Sequence, residues 1–467
     1  MGAFSELLAV VLAAHSVAAH DFDVLRHLGG NGQWFRGPEV TGISSETPSG
    51  CTVDLAASFS RHGSRYPDRG AYNGWANLSA RIQEGQLSVH DKSLSFLSSW
   101  KPVLKFPDQQ IAQLSTTGYK ELYDMGATTR LQYPDLYDYN TDFTVWANYY
   151  SSSPRVRDSA RLFARGFLGP NATELGSIYA LNASDPRSWL NSLAPSDLCP
   201  AYADNGGSPQ TDTWANIYLP PIRKRLNKLI KGSFQFTQDD ISSIPYLCGF
   251  ETQITGTKSP WCSIFTESEM LQYEYAQDLR YWYGTGLGTD IEKYLMLPVL
   301  GGLIQRFVDG PNATYTDADG TTFVPPKIIT SFSNDGQINQ LAAAIGVFDN
   351  EPQLPANKVL RERLFKASNF CTMRGTISFE RLSCSSRGGP YVRVKLNDVV
   401  YPVASCQTGP GRSCPLKDYQ SLVQKKISHA GNFAAICNIT DPAVPRDQKS
   451  APFFTNTTLP FATLLKP

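Results

Sequence analysis

The sequence predicts an α/β fold: a large domain built on a β-sheet, with a smaller, mainly helical domain inserted into it. Three observations point there. Short β-prone runs are separated by stretches of helical spacing. A long block between the second and third runs has helical character. The side chains able to carry chemistry fall just after strands. The resulting division gives 1–19 as a leader, 20–160 and 296–467 as the sheet domain, and 161–295 as the helical insertion.

Residues 53–59, Val-Asp-Leu-Ala-Ala-Ser-Phe, read as a first strand that feeds straight into a polar turn at residues 61–67. Residues 143–150 are aromatic and β-prone, a second strand, and helical spacing follows over 157–167. The clearest helices of the middle block are 214–229 and 267–282, the latter broken by the glycines of 284–288. A third strand over 327–332 leads into Ser333-Asn334-Asp335-Gly336 and a helix over 338–347. Residues 376–382 and 391–396 read as a late antiparallel pair. Ligands in open α/β sheets bind beyond the carboxyl ends of strands, so the residues after the three strands are expected to share one pocket.

The 467 residues carry 42 basic and 42 acidic side chains with no run of like charge, which excludes an electrostatic nucleic-acid binder. The apolar stretch 7–14, followed by Ser16-Val17-Ala18-Ala19, reads as a secretory leader, although its start lacks Lys or Arg. It is too short to span a bilayer, as is the apolar run 294–304, so no membrane partner is expected. Sequons at Asn77, Asn171, Asn182, Asn312, Asn438 and Asn456 fit a secreted, extracellular chain bearing N-linked glycans. The nine cysteines include no CxxC pair, which argues against a zinc ribbon or redox motif. In an oxidising compartment eight would pair and one would be left over.

The polar turn reads Arg61-His62-Gly63-Ser64-Arg65-Tyr66-Pro67. Two guanidiniums, whose coplanar N–H donors suit phosphate oxygens, flank an imidazole, a candidate nucleophile. Neighbouring cations disfavour imidazolium, so His62 is expected to stay a free base in mildly acidic medium. No histidine pair has metal-ligand spacing such as HxxxH, and neither GxSxG nor GxxxxGK[ST] occurs. A metallophosphatase, a serine hydrolase of α/β type and a P-loop enzyme therefore find no support.

The run 61–67 resembles the RHGxRxP signature of the histidine acid phosphatases. Leu25-Arg26-His27-Leu28-Gly29-Gly30-Asn31-Gly32, Glu380-Arg381-Leu382-Ser383-Cys384 and the segment from Gly409 to Leu416 resemble the secreted fungal phytases and acid phosphatases, most closely the acid phosphatase branch. The resemblance implies a phosphoglycerate-mutase-like sheet domain with a helical domain, and hydrolysis of phosphate monoesters, phytate among the candidates. It implies His62 as the nucleophile that becomes phosphohistidine and Asp335 as proton donor to the leaving group. Arg61, Arg65 and Arg155 would bind the phosphate, and Glu251 would lie on the substrate side of the pocket. No metal or organic cofactor is implied. It also implies disulfides Cys51–Cys384, Cys199–Cys437, Cys248–Cys262 and Cys406–Cys414, with Cys371 free.

One position departs. Where the family has His-Asp, this chain has Asn334-Asp335. An amide also donates to phosphate, but it is uncharged and shorter. Asn334 therefore opens an alternative, a weakly active or non-catalytic relative that binds phosphate esters in the same pocket. A phosphohistidine mutase shares the nucleophile logic, but the leader and sequons argue against it.

Overall fold

The computed structural model describes residues 22–467 apart from 90, 151–152, 318, 386–387 and 447–451. The leader expected at 1–19 lies outside the described residues. The principal strands are β1 (Cys51–Arg61), β2 (Phe143–Tyr149), β3 (Gly176–Asn182), β4 (Ile328–Ser333), β5 (Thr376–Cys384), β6 (Tyr391–Leu396) and β7 (Ala462–Leu465). They run across one sheet in the order β6-β5-β1-β4-β2-β3-β7. β1, β4, β2 and β3 are mutually parallel, while β5, β6 and β7 run antiparallel to their neighbours. The parallel strands bring the carboxyl ends of β1, β2 and β4 to one edge, where the topology predicts a ligand site.

Alternate side chains of each strand face opposite layers. Val145 and Ala147 of β2, with Ile328 and Phe332 of β4, pack on one face against α2 (Thr116–Gln132) and α3 (Arg155–Leu168). Trp146 and Ile329 point the other way, into a larger core shared with the remaining helices. Those are α1 (Arg69–Glu84), α4 (Gln210–Asn227), α5 (Gln238–Thr255), α6 (Glu267–Thr285), α7 (Leu297–Asp309), α8 (Asp335–Ala344) and α9 (Leu416–Ala430). Local chemistry sets their starts. Asp68 caps α1 by accepting from Ala71 N at 2.9 Å. Thr237 with Asp240, and Thr266 with Glu269, form capping boxes for α5 and α6. The apolar run 294–304 enters α7, which is buried, and no helix among the described residues is long and apolar enough to cross a membrane.

The domain division read from the sequence needs correction at two places. β3 lies inside the range assigned to the helical insertion, yet it pairs in parallel with β2 and belongs to the sheet. Its sequence, Gly-Ser-Ile-Tyr-Ala-Leu-Asn, is short and mixed, so its pairing partner rather than its own pattern makes it a strand. Conversely, α1 joins the helical layer from the N-terminal side: Trp75 packs against Tyr246 and Phe250 of α5, and Ser88–Val89 pairs with Ile230–Lys231. The helical layer is thus assembled from two separate stretches, and one continuous core joins it to the sheet.

Four disulfides are present, Cys51–Cys384, Cys199–Cys437, Cys248–Cys262 and Cys406–Cys414, and Cys371 is a buried free thiol. This is the pairing implied by the resemblance. Cys51 and Cys384 are direct cross-strand partners between β1 and β5.

Candidate active site

β1 ends at Arg61, and the next residue, His62, is held by its backbone on both sides. His62 N donates to Ser333 O at 3.0 Å, and Arg374 N donates to His62 O at 2.8 Å. Gly63 follows because there is no room for anything larger: a Cβ there would lie 2.7 Å from Leu122 Cδ1 and 3.0 Å from Gly118 O. Its N–H donates to Ser159 Oγ at 3.2 Å, and Glu121 accepts from both the amide and the hydroxyl of Ser64. The turn is therefore fixed by α2 and α3.

The His62 ring is 1% exposed, with Nδ1 2.9 Å from Gly63 O. A carbonyl only accepts, so Nδ1 carries the hydrogen and Nε2 keeps its lone pair. Burial, then the charges of Arg155, Arg61 and Arg65, hold the imidazole well below its ordinary pKa. The structure thus brings His62 together with all three arginines expected around it.

Each guanidinium is positioned differently. Arg61 Nη1 donates to Gly30 O at 2.5 Å and to Cys371 O at 2.9 Å, while Nη2 lies 3.5 Å from Asp335 Oδ2. Arg65 lies over the Phe250 ring at 5.4 Å and donates to Tyr66 O at 2.9 Å. Arg155, the first residue of α3, donates to Ser153 Oγ. Burial, and then the repulsion of Arg65, lower Arg155 to about 10. The Nε atoms of all three are buried without a hydrogen-bond partner among the described residues. Crowded cations with orphan donors form a receptor for a compact, multiply charged anion.

Asp335 is the first residue of α8, and Asn334 takes the N-cap position without a side-chain cap bond. Burial would raise the Asp335 pKa, but Arg61, the Tyr281 hydroxyl, His62 and Arg280 outweigh it and hold the carboxyl well below its usual range. Asn334 lies beside the hydroxyl of Tyr150, which donates to Asp197 Oδ2 at 2.7 Å. Its Oδ1 is buried without a partner among the described residues.

Glu251 is the exception among the expected site residues. It is 3% exposed within α5, where Oε1 accepts from Trp100 Nε1 at 2.8 Å and Oε2 accepts from Ser259 Oγ at 2.7 Å. Both oxygens are used inside the helical layer, and burial raises its pKa with no arginine opposing. Glu251 is a packing residue, not a pocket residue. Sequence reading also missed groups that complete the site: Tyr281, Ser159, Glu121 and the carbonyls of Gly30 and Cys371. Of these, only Gly30 stood in a motif that the sequence singled out; the others carry no local signal.

A family model described as the histidine phosphatase superfamily (branch 2) matches residues 52–397. The chain belongs to that family. An acid phosphatase of Komagataella pastoris is 30% identical over 427 residues, covering 90% of this chain and 87% of the relative. An acid phosphatase of Schizosaccharomyces pombe is 30% identical over 459 residues, covering 93% and 96%. The crystal structure of a phytase from D. castellii superposes with a TM-score of 0.82 at 25% identity, covering 96% of this chain and 95% of that one. This histidine phosphatase is a phosphoric monoester hydrolase, and the α/β architecture with its helical layer is the family fold.

Proposed function

We propose that this histidine phosphatase is a secreted acid phosphatase that works through a phosphohistidine on His62. The single observation that carries the reading is the convergence of Arg61, Arg65 and Arg155 on a neutral imidazole whose Nδ1 is committed to Gly63 O. The guanidiniums bind the equatorial oxygens and stabilise charge on the phosphoryl group in transit. The Nε2 lone pair forms the P–N bond as the P–O ester bond breaks. Asp335 gives its proton to the departing oxygen. Water then attacks phosphorus, Asp335 takes the water proton, and the P–N bond breaks to restore His62. An arriving phosphate anion beside Asp335 raises its proton affinity, so the carboxyl is protonated when it is needed.

Beside Arg65, whose Nη2 is 3.9 Å from Asp68 Oδ2, lies a groove lined by Trp75 and Tyr246 and by three carboxylates, Asp68, Asp239 and Asp240, with Arg81 paired to Asp240. Net negative charge there disfavours a leaving group that is itself a polyanion. Simple monoesters are therefore the preferred substrates over phytate. The disulfides fit an oxidising, extracellular setting.

The test is rapid acid-free quenching during turnover of p-nitrophenyl phosphate, followed by mass spectrometry of the peptide containing His62. A phosphoryl adduct on His62, absent in His62→Ala together with turnover, is expected. Turnover retained by His62→Ala overturns the reading.

A further inference from the structure

The segment around Gly30, singled out in the sequence, has no part in the mechanism above. In the fold it lies along α6 and reaches the site. His27 Nδ1 is 3.0 Å from Glu274 Oε1, Gly29 N donates to Ser368 Oγ at 3.0 Å, and Asn31 Nδ2 donates to Tyr273 Oη at 2.8 Å. Between these anchors, Gly30 presents its carbonyl to Arg61. Its Cα side is pressed on Tyr281: a Cβ at residue 30 would lie 1.9 Å from the tyrosine hydroxyl oxygen. Tyr281 is 5% exposed, and its hydroxyl donates to Asp335 Oδ2 at 2.8 Å. That oxygen also faces Arg61. Among the described residues Oδ1 of Asp335 makes no hydrogen bond, and the side chain is 32% exposed.

We propose that Tyr281 is a positioning residue for the general acid: its hydroxyl, seated against Gly30, holds Oδ2 of Asp335 so that Oδ1 carries the proton to the leaving group. The proposal rests on the reading of Asp335 as that acid. An aspartate rotates broadly about its last torsion and offers two equivalent oxygens. Occupying one with a hydroxyl and a guanidinium fixes both the rotation and the identity of the acidic oxygen. As the P–O bond breaks, its electron pair stays on the ester oxygen and takes the proton from Oδ1, leaving a carboxylate. The groups facing Asp335 are Arg61 and His62 from the end of β1, Tyr281 and Arg280 from α6, Arg155 from α3 and Cys371 from the loop before β5. Tyr281→Phe keeps the ring and every other member of this set, so its effect reports the hydroxyl. Because that hydroxyl favours the ionised carboxylate, its loss lets Asp335 stay protonated to higher pH.

The experiment compares wild type, Tyr281→Phe and Asp335→Asn over a pH series with two esters. p-Nitrophenolate departs without a proton, whereas the alkoxide of glycerol phosphate needs one. For Tyr281→Phe, kcat/KM on glycerol phosphate, which reports the phosphorylation step without the later hydrolysis of phosphohistidine, is expected to fall about tenfold, with its alkaline limb moved to higher pH. On p-nitrophenyl phosphate kcat/KM should stay within about threefold. Equal losses on both esters with an unmoved limb overturn the proposal and leave Tyr281 a packing residue. If Asp335→Asn itself fails to discriminate the esters, the general-acid reading falls. If Asp335→Asn discriminates and Tyr281→Phe does not, only the positioning role falls. Gly30→Ala displaces the hydroxyl without removing it and is expected to show the same selective loss; wild-type selectivity in Gly30→Ala counts against the proposal.

Discussion

Arg61 Nη2 lies 3.5 Å from Asp335 Oδ2, so the guanidinium next to the proposed nucleophile in sequence is also next to the proposed acid in space. Its other nitrogen is tied to the carbonyls of Gly30 and Cys371. A lysine ammonium cannot satisfy these three acceptors in one planar fork. Arg61→Lys is expected to lower kcat/KM by about 10²-fold or more, read from steady-state kinetics on p-nitrophenyl phosphate. A loss below threefold would show that charge alone, not fork geometry, matters there.

His62 links the site to stability. Its ring stays neutral in the fold well below its ordinary range, through burial and then Arg155, Arg61 and Arg65. Unfolded, it binds a proton as pH falls below about 6.5. The unfolded state then holds more protons, so stability drops as pH falls from that value toward the folded pKa, at about 1.4 kcal/mol per unit. The stability of wild type relative to His62→Gln should therefore decline between pH 7 and pH 5, measured by urea unfolding at each pH. A difference independent of pH would contradict the depressed ring.

Asn334, which the resemblance places where the family has histidine, sets an amide beside Tyr150. Asn334→His restores a longer, chargeable donor and is expected to preserve or raise kcat. Asn334→Ala removes the donor and should lower kcat about tenfold. A marked fall in Asn334→His would assign the asparagine a task of its own within the Tyr150–Asp197 pair.

Glu251 offers the opposite expectation. Glu251→Ala strands Trp100 Nε1 and Ser259 Oγ inside the helical layer. Stability should fall by about 1–3 kcal/mol, while the ratio of phytate to p-nitrophenyl phosphate turnover stays unchanged. A changed ratio at full stability would return Glu251 to the pocket.

Much of this could be read from the residues. The strand before Arg61, those over 143–149 and 328–333, and the late pair at 376–384 and 391–396 carry compact β-prone patterns, and the parallel sheet edge put their ends together. His62 stood out between Arg61 and Arg65 in the run 61–67, whereas Arg155 and Asp335 were marked by the resemblance, both lying just after strands. β3 was hidden because its seven residues mix glycine, serine and asparagine and gain their conformation from β2. Tyr281 was hidden because its role depends on contact across 54 residues with Asp335, in a helix already crowded with aromatics. Glu251 misled because its place came from the resemblance alone, which says nothing about which face of a helix its carboxylate takes in this chain.

The bond between Cys51 and Cys384 joins the far end of the strand that leads to His62 to its neighbour across 333 residues of chain. A single proteolytic nick anywhere within that span severs the backbone but releases neither piece. The cleaved molecule would migrate as one species on a gel until a reductant is added, and the strand leading to His62 would remain stitched in place throughout.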